Sequence, residues 1–334
     1  MAKHETHATL SRRSFVKTAV WSSTTVGLGT VGLPAWSDAA CVNDGATIPL
    51  KIGHRAASMK MVGNLGVFKL ARQIPGLSGV ELQVAAGQPN LRDWDTVRRY
   101  KQEAHRWGMM VPSLAGVWDR GVSIKSATAK ANLTQSIRAA EMLGASVLLI
   151  AFFGDHAPDM NDEASFAPVV ELLKDVARPA ADAGVILGLE SSLSPAENVR
   201  LVDLVDSPNV KVYYDIHNMA HYGYGDQAVP GIELLGKERI CMVHVKNEDR
   251  LIEERGKVDW RAAFETLNEI GYSGWYVFES QHTDQCQLVD TTTRNIQFLK
   301  KVCRMPPADA AVASMIKLEA RVAPSPPTWL LPDR

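Results

Sequence analysis

Val185-Ile186-Leu187-Gly188-Leu189-Glu190 is a short apolar run that ends on a carboxylate. Three later runs repeat the pattern. Val210-Lys211-Val212-Tyr213-Tyr214 ends on Asp215, Ile240-Cys241-Met242-Val243 on His244, and Trp275-Tyr276-Val277-Phe278 on Glu279. The four terminal residues stand 25, 29 and 35 positions apart. Each interval holds one strand, one helix and two loops, which is the period of a βα unit. Strands that are apolar throughout, rather than alternating, belong to parallel sheets covered on both faces. Four such strands in one barrel would bring Glu190, Asp215, His244 and Glu279 to the same end. Carboxylates with one imidazole suit one divalent ion; Mn²⁺ or Mg²⁺ is favoured, with Co²⁺ or Zn²⁺ possible.

Upstream of this stretch the same alternation continues. Strands are predicted at 50–58 (LKIGHRAAS, with its loop), 79–84, 109–114 and 146–153. Helices are predicted at 66–74, stopping at Pro75, at 94–107 before Gly108, at 127–143 before Gly144, and at 166–183 before Gly184, with Pro179 as a point where the last could kink. Downstream, helices fall at 195–206, 228–235, 260–270 and 289–300. Eight strands alternating with helices predict an α/β fold, a single (β/α)₈ TIM barrel over 48–303, with its site at the C-terminal ends of the strands. A doubly wound sheet is the structural alternative, but no glycine-rich dinucleotide or phosphate loop follows the first strand.

The 334 residues are 46% hydrophobic and 22% charged, enough for a large core. A formal net charge of −1 offers no bulk attraction to nucleic acid or to a membrane surface. Cys41, Cys241, Cys286 and Cys303 lack the close pairing of a thiolate metal or redox motif.

Residues 1–40 have a different character. Ser11-Arg12-Arg13-Ser14-Phe15-Val16-Lys17 precedes a mildly apolar run at 18–33 and the small residues Ala39 and Ala40. This resembles a twin-arginine signal peptide, which implies the twin-arginine export machinery as a partner and a periplasmic or otherwise exported protein. The run is too short and weakly apolar for a stable membrane anchor. At the other end, 304–334 form a Pro-rich tail with Pro306-Pro307 and Pro324-Ser325-Pro326-Pro327. It is either disordered or packs on a neighbour through Trp329 and Leu330, which would make the protein a homo-oligomer.

The neighbours of the four strand-end residues carry a family resemblance. Asp215-Ile216-His217-Asn218, His244-Val245-Lys246-Asn247-Glu248-Asp249-Arg250 and Val277-Phe278-Glu279 resemble the xylose isomerase-like barrel superfamily, also labelled sugar phosphate isomerase/epimerase. The likeness is to its ketose 3-epimerase branch and, more distantly, to endonuclease IV. The resemblance implies one divalent metal on Glu190, Asp215, His244 and Glu279, with Glu190 and Glu279 also serving as acid and base. It further implies substrate contacts from Asn218, three residues after the aspartate, and Arg250, six after the histidine. The epimerases commonly place a histidine where Asn218 stands, with His217 one place early here. Their second glutamate after the strand-five ligand has no clear match, Glu197 being the nearest.

Other residues at strand ends would face the same mouth. His54 and His156 are the preferred additional substrate contacts, and Lys246 would bind substrate or a carboxylate. Trp118 and Phe153 could stack on a sugar face or pack in the rim. His221 and His282 follow ligand strands.

The chemistry has a physical basis. A proton next to a carbonyl leaves only if the enolate charge is held, and a divalent ion holds it. Two carboxylates flanking the carbon then remove and return the proton. Return at the same carbon from the opposite face gives epimerisation, and return at the neighbouring carbon gives isomerisation. The leading reading is a metal-dependent isomerase or epimerase of an unphosphorylated small-molecule sugar or keto-sugar. A lyase or hydratase using the same enediolate is a close variant. An endonuclease IV-like phosphoesterase would need several more histidines than this chain offers, since two of its nine, His4 and His7, lie in the leader. It would also need a basic nucleic-acid face. A non-catalytic sugar-binding barrel would not need two opposed carboxylates.

Overall fold

In the computed structural model, the described residues are 50–303 without 88–89 and 281–284. The leader expected at 1–40, the tail at 304–334 and His282 therefore lie outside the described residues.

Eight strands close into a parallel barrel in sequence order: β1 (Lys51–Arg55), β2 (Gly79–Gln83), β3 (Ser113–Ala115), β4 (Val147–Phe152), β5 (Ile186–Ser191), β6 (Val210–Asp215), β7 (Ile240–Val245) and β8 (Trp275–Phe278). Closure is made by β1 on β8, with Lys51 opposite Trp275 and His54 opposite Phe278. The helices between and after the strands are α1 (Val67–Ala71), α2 (Trp94–Arg106), α3 (Ala129–Leu143), α4 (Glu163–Asp182), α5 (Pro195–Val205), α6 (Ile216–His221), α7 (Pro230–Arg239), α8 (Trp260–Glu269) and α9 (Gln285–Cys303). This is the single (β/α)₈ barrel expected from the sequence.

Several boundaries differ, each for a local reason. β3 occupies Ser113–Ala115 rather than 109–114, because Pro112 has no N–H to give a ladder; Met110 makes only an isolated bridge to Gly79. α4 begins at Glu163, where the Asp162 side chain accepts from the Ala164 N–H, and it runs through both Pro168 and Pro179. The connection after β6 opens with the extra helix α6, started by Asp215 itself, and the outer helix α7 follows only at Pro230. Gly144 caps α3 in the left-handed conformation, at φ 80°, as its position suggested.

Two apolar layers hold the fold. The larger lies between the barrel and its helices and includes Phe68, Trp260, Phe264 and Phe278. The smaller fills the barrel interior with Ala115, Val147, Leu149, Tyr213, Met242, Trp275 and Val277. Its large rings need glycine opposite them. A Cβ on Gly79 would stand 2.6 Å from Trp275 Cζ3, and one on Gly188 would stand 3.2 Å from Tyr213 Cδ2. Between β6 and β7 the register slips, so that Val212 faces Ile240 and Tyr213 faces Met242. The extra residue, Cys241, is a bulge that sets the phase of β7. From there Met242 and His244 share the inner face.

Candidate metal centre and active site

Side chains alternate across a strand, so inward positions recur every second residue. One step beyond the interior layer this periodicity sets Arg55, Glu81, Glu190, Asp215 and His244 at the C-terminal rim, with Glu279 just past the end of β8. The Glu279 N–H still donates to the Val245 carbonyl at 2.9 Å, so this residue continues the ladder.

Ligand atoms of Glu190, Asp215, His244 and Glu279 all lie within 4.8 Å of one another. His244 Nδ1 is 3.4 Å from Glu190 Oε1, 3.5 Å from Glu279 Oε2 and 3.8 Å from Asp215 Oδ2. Glu190, Asp215 and His244 are buried, and Glu279 is only slightly exposed. Three carboxylates gathered in a dry pocket with one imidazole need positive charge among them. Asp215 Oδ2 pairs with Lys246 Nζ at 2.6 Å and, among the described residues, with no other group closer than His244 Nδ1 at 3.8 Å. Donor chemistry, burial and the convergence of the four ligand atoms fit one hard divalent cation.

The surroundings fix each member. Asp215 caps α6: its Oδ1 accepts from the Asn218 N–H at 2.9 Å, which leaves Oδ2 for the cluster. Asn218 Nδ2 donates to Glu190 Oε1 at 2.9 Å. Lys246 Nζ donates to Glu279 Oε2 at 2.8 Å, and Arg55 pairs with the other Glu279 oxygen. Beneath them Glu81, fully buried, accepts from Ser113 Oγ at 2.8 Å and from the Tyr213 hydroxyl at 2.9 Å. Its Oε1 lies 3.3 Å from both Arg55 Nε and His244 Nε2. Glu81 therefore holds the rear nitrogen of His244 and turns Nδ1 toward the carboxylates, an arrangement that orients metal-ligating histidines in general.

Electrostatics follow this wiring. Burial alone would raise the Glu81 carboxyl, but His244, Arg55 and Ser113 reverse that and hold it down at about 2. Burial would lower His244, yet Glu81 and Glu190 push it up to about 9. Glu190 is lowered despite its burial, by His244 first and then Lys246 and Arg55. Asp215 is raised, by burial and by the Glu190 charge, against the pull of Lys246.

Above the cluster opens a cavity of about 690 Å³. Of the contacts expected from sequence, Asn218 and Lys246 line it, together with Phe153 and His221. His54, His156 and Arg250 do not, which corrects their expected placement. His54 alternates with the inward Arg55, so its ring points into the helix layer, fully buried and 6.5 Å from the Phe278 ring, with Nδ1 3.2 Å from the Arg55 carbonyl. His156 ends a short 3₁₀ turn and is exposed. Arg250 folds back on its own loop, where Nη1 donates to the Arg255 carbonyl at 3.1 Å. Trp118 is not among the lining residues either, and its Nε1 donates to the Ala151 carbonyl at 2.7 Å.

Sequence reasoning passed over Arg55 and Glu81. The signal was present: a lone carboxylate inside Gly79-Val80-Glu81-Leu82-Gln83 must be paired if the strand is buried. Also passed over were Tyr222 and Glu248 on the cavity wall.

Comparison with solved structures agrees with this architecture. D-psicose 3-epimerase from Clostridium cellulolyticum H10, solved with D-tagatose, superposes with a TM-score of 0.64 at 19% identity, over 77% of this chain and 100% of that one. The 3-keto-D-glucoside 4-epimerase of E. coli gives 0.61 at 16% identity, over 75% and 99%. A xylose isomerase domain protein from Planctomyces limnophilus gives 0.61 at 19%, over 76% and 96%. At these identities the likeness is one of fold. The family described as xylose isomerase-like TIM barrel matches residues 68–302, most of the barrel from α1 to α9. On that match the chain belongs to the xylose isomerase-like TIM barrel family.

Proposed function

We propose that this protein is a divalent-metal-dependent isomerase or epimerase of an unphosphorylated sugar or keto-sugar. The observation that carries the reading is the pair Glu190 and Glu279. They come from β5 and from the end of β8, three strands apart round the ring, and converge on His244 Nδ1 at 3.4 and 3.5 Å. Several solved structures of the same fold are sugar epimerases by name, which supports the same reaction class here.

Glu190, Asp215, His244 and Glu279 would hold the ion. Its contribution there would be Lewis acidity, steadying negative charge on a carbonyl oxygen during proton removal. The chain's own residues do the rest. Glu279, gripped by Arg55 and Lys246, keeps its oxygens fixed in the cavity, and Glu190 is fixed by Asn218. One carboxylate takes the proton next to the carbonyl and the other returns one from the opposite side. Asn218 and Lys246, both on the cavity wall, would hydrogen-bond substrate hydroxyls. The plug of Tyr213, Met242, Trp275 and Val277 closes the barrel below and keeps bulk water from entering that way.

The same reading includes export: the Arg12-Arg13 pair would direct the folded protein through the twin-arginine route, and no helix among the described residues is long and apolar enough to cross a membrane. Replacing both arginines with lysine should leave precursor in the cytoplasm.

The test of the activity is direct. Purified protein should hold one divalent ion per chain and should place solvent deuterium on a carbon adjacent to the carbonyl when a panel of ketoses is offered in D₂O. Two or three ions per chain with no exchange would instead favour metal-dependent phosphoesterase chemistry, and no ion at all would overturn the reading.

A further inference from the structure

The cavity is larger than its floor requires. Its carboxylates and His244 form only the floor, and the space above them comes to about 690 Å³. That lies within the range of sites that enclose drug-sized ligands, well beyond one small sugar ring. What lines the upper part is not indifferent rim.

On one side Phe153, just past β4, and Tyr222, at the end of α6, stack with ring centroids 5.7 Å apart and planes 13° from parallel. Both are half-buried and both line the cavity. Asp215 begins α6 and Tyr222 ends it, so the helix separates their backbones by roughly 10 Å at 1.5 Å per residue. The aromatic pair thus stands beside the carboxylate floor, where burial and then the Glu190 and Asp215 charges raise the Tyr222 hydroxyl.

The rest of this lining is polar and built. His217 is buried to 6% exposure, lines the cavity, and has no hydrogen-bond partner on either ring nitrogen. A buried imidazole without partners costs free energy unless a ligand supplies them. Glu248 stands 3.9 Å from His217 Nε2 and 3.4 Å from Lys257 Nζ. Its backbone is left-handed, at φ 57°, a costly conformation for a side chain of this kind. The loop that imposes it is closed around Asn247, whose Nδ2 donates to the Leu251 and Glu254 carbonyls at 2.9 Å each. Gly256 completes the closure, since a Cβ there would stand 1.8 Å from Asn247 Oδ1. The fold thus holds a carboxylate in a strained conformation at the cavity wall, beside an imidazole in need of partners.

A stacked aromatic pair and hydroxyl-bonding groups in one cavity match a sugar ring, which has apolar C–H faces and a polar edge. We propose that the upper cavity is a second sugar subsite. In it the free face of the Phe153–Tyr222 stack packs on one face of a glycosyl group while His217 and Glu248 bond its hydroxyls, so that the preferred substrate is a glycosylated keto-sugar rather than a free ketose. This rests on the isomerase reading for its floor and adds the identity of what lies above it.

Fructose and its glucosylated forms maltulose, leucrose and isomaltulose, which carry the glucosyl group on successive oxygens of the ketose, provide the test with the full-length, metal-loaded protein. Calorimetric titration should show at least one of the three binding roughly tenfold or more tightly than fructose, as one good stacked and hydrogen-bonded ring allows. Phe153→Ala and Glu248→Gln should each shrink that preference severalfold, read as the ratio of the two affinities in the same variant. If fructose binds as well as all three, or if neither variant changes the ratio, the subsite is overturned. Deuterium uptake from D₂O separates the two readings. Uptake from fructose without any preference for the glucosylated forms removes the subsite alone. Preference without uptake from any of the four sugars removes the isomerase reading and leaves the subsite standing.

Discussion

The two levels of the barrel interior are lined by the same strands and carry opposite chemistry. At the lower level Tyr213, Met242 and Val277 form an apolar plug with Val147, Leu149 and Trp275. Two residues further along the same strands, on the same inner face, stand Asp215, His244 and Glu279, and Gly188 gives way to Glu190 in the same manner. One strand repeat separates close packing from a cluster of three carboxylates. The levels depend on each other. The plug removes water from beneath the charges, so every interaction among them is stronger than it would be in solvent. It also supplies apolar burial to offset the cost of gathering like charges at the rim. Tyr213 joins the two: its ring lies 4.4 Å from that of His244 and its hydroxyl is spent on Glu81.

If the levels divide the work in this way, changes at the rim should remove turnover and spare the fold, and changes in the plug should do the reverse. Glu190→Gln and Glu279→Gln bring the largest expected loss. Each should lower kcat by about 10²–10⁴-fold, the usual worth of a general acid or base, with KM changed far less. Glutamine keeps the shape and one oxygen but cannot take a proton. The double variant should be little worse than either single one, because the two residues act as one relay. A variant that keeps near-normal kcat with its ion bound would make that glutamate a ligand only.

The complementary change is Trp275→Ala. Removing a buried indole should cost about 3–5 kcal/mol of stability. Gly79→Ala attacks the same contact from the other side, since the new Cβ would meet Trp275 at 2.6 Å; overpacking of this kind costs about 1–3 kcal/mol. Denaturant unfolding measures both. Turnover per folded molecule should fall much less than in the glutamate variants. A Trp275→Ala protein that unfolds normally yet loses its activity would show that the plug positions the site rather than only supporting it.

The same comparison explains what could be read from the sequence. The barrel was legible because buried parallel strands are continuous apolar runs of similar spacing. The four rim residues were legible because each closes such a run. Arg55 and Glu81 were harder. They lie on β1 and β2, where Gly53 and Gly79 take the inner positions below them and no carboxylate ends the strand. His54 drew attention as a histidine near a strand end, but inward and outward positions alternate. With Arg55 facing in, His54 had to face out. His156 and Arg250 sit on loops, whose course no periodicity records. α6 escaped because its six residues follow directly on a strand and begin at a residue already assigned to the metal.

Glu81 stands at the boundary between the levels, and Glu81→Gln should sharpen the comparison. In the metal-free protein His244 is pushed up to about 9, first by Glu81, so at neutral pH it carries a proton that an incoming ion must displace. Metal affinity should therefore rise with pH, by up to about tenfold per unit, and level off near 9. The stability of the metal-free protein should run the other way. The folded value lies above the ordinary value of 6.5, so the His244 contribution is complete below about 6.5 and is lost as pH climbs through about 9. In Glu81→Gln the affinity curve should level off at lower pH, and the affinity reached there should be about 10–100-fold weaker, because His244 is no longer held in line. Calorimetric titration with Mn²⁺ between pH 6 and 9 reads both effects. An unchanged curve would mean that Glu81 serves the plug alone.

The smallest effect is expected from Arg250→Ala, and its smallness is informative. The family resemblance made Arg250 an expected substrate contact, yet in the structure its guanidinium is exposed and donates to the Arg255 carbonyl. Losing that bond should cost about 0.5–1.5 kcal/mol at most, and less because the group is already in water. The loop does not depend on it, since Asn247 closes the same turn through two buried hydrogen bonds. KM for the best sugar should therefore stay within about twofold, whereas Lys246→Met, which empties the contact to Glu279 and Asp215 on the cavity wall, should raise KM or lower kcat by about tenfold or more, as expected when a hydrogen bond to a charged partner is lost. A large rise in KM for Arg250→Ala with Lys246→Met nearly silent would mean that the 247–256 loop swings inward when substrate binds, carrying Arg250 over the cavity. The stapled loop and the fixed Glu248 would then have to be read as one position of a moving element rather than as part of a rigid wall.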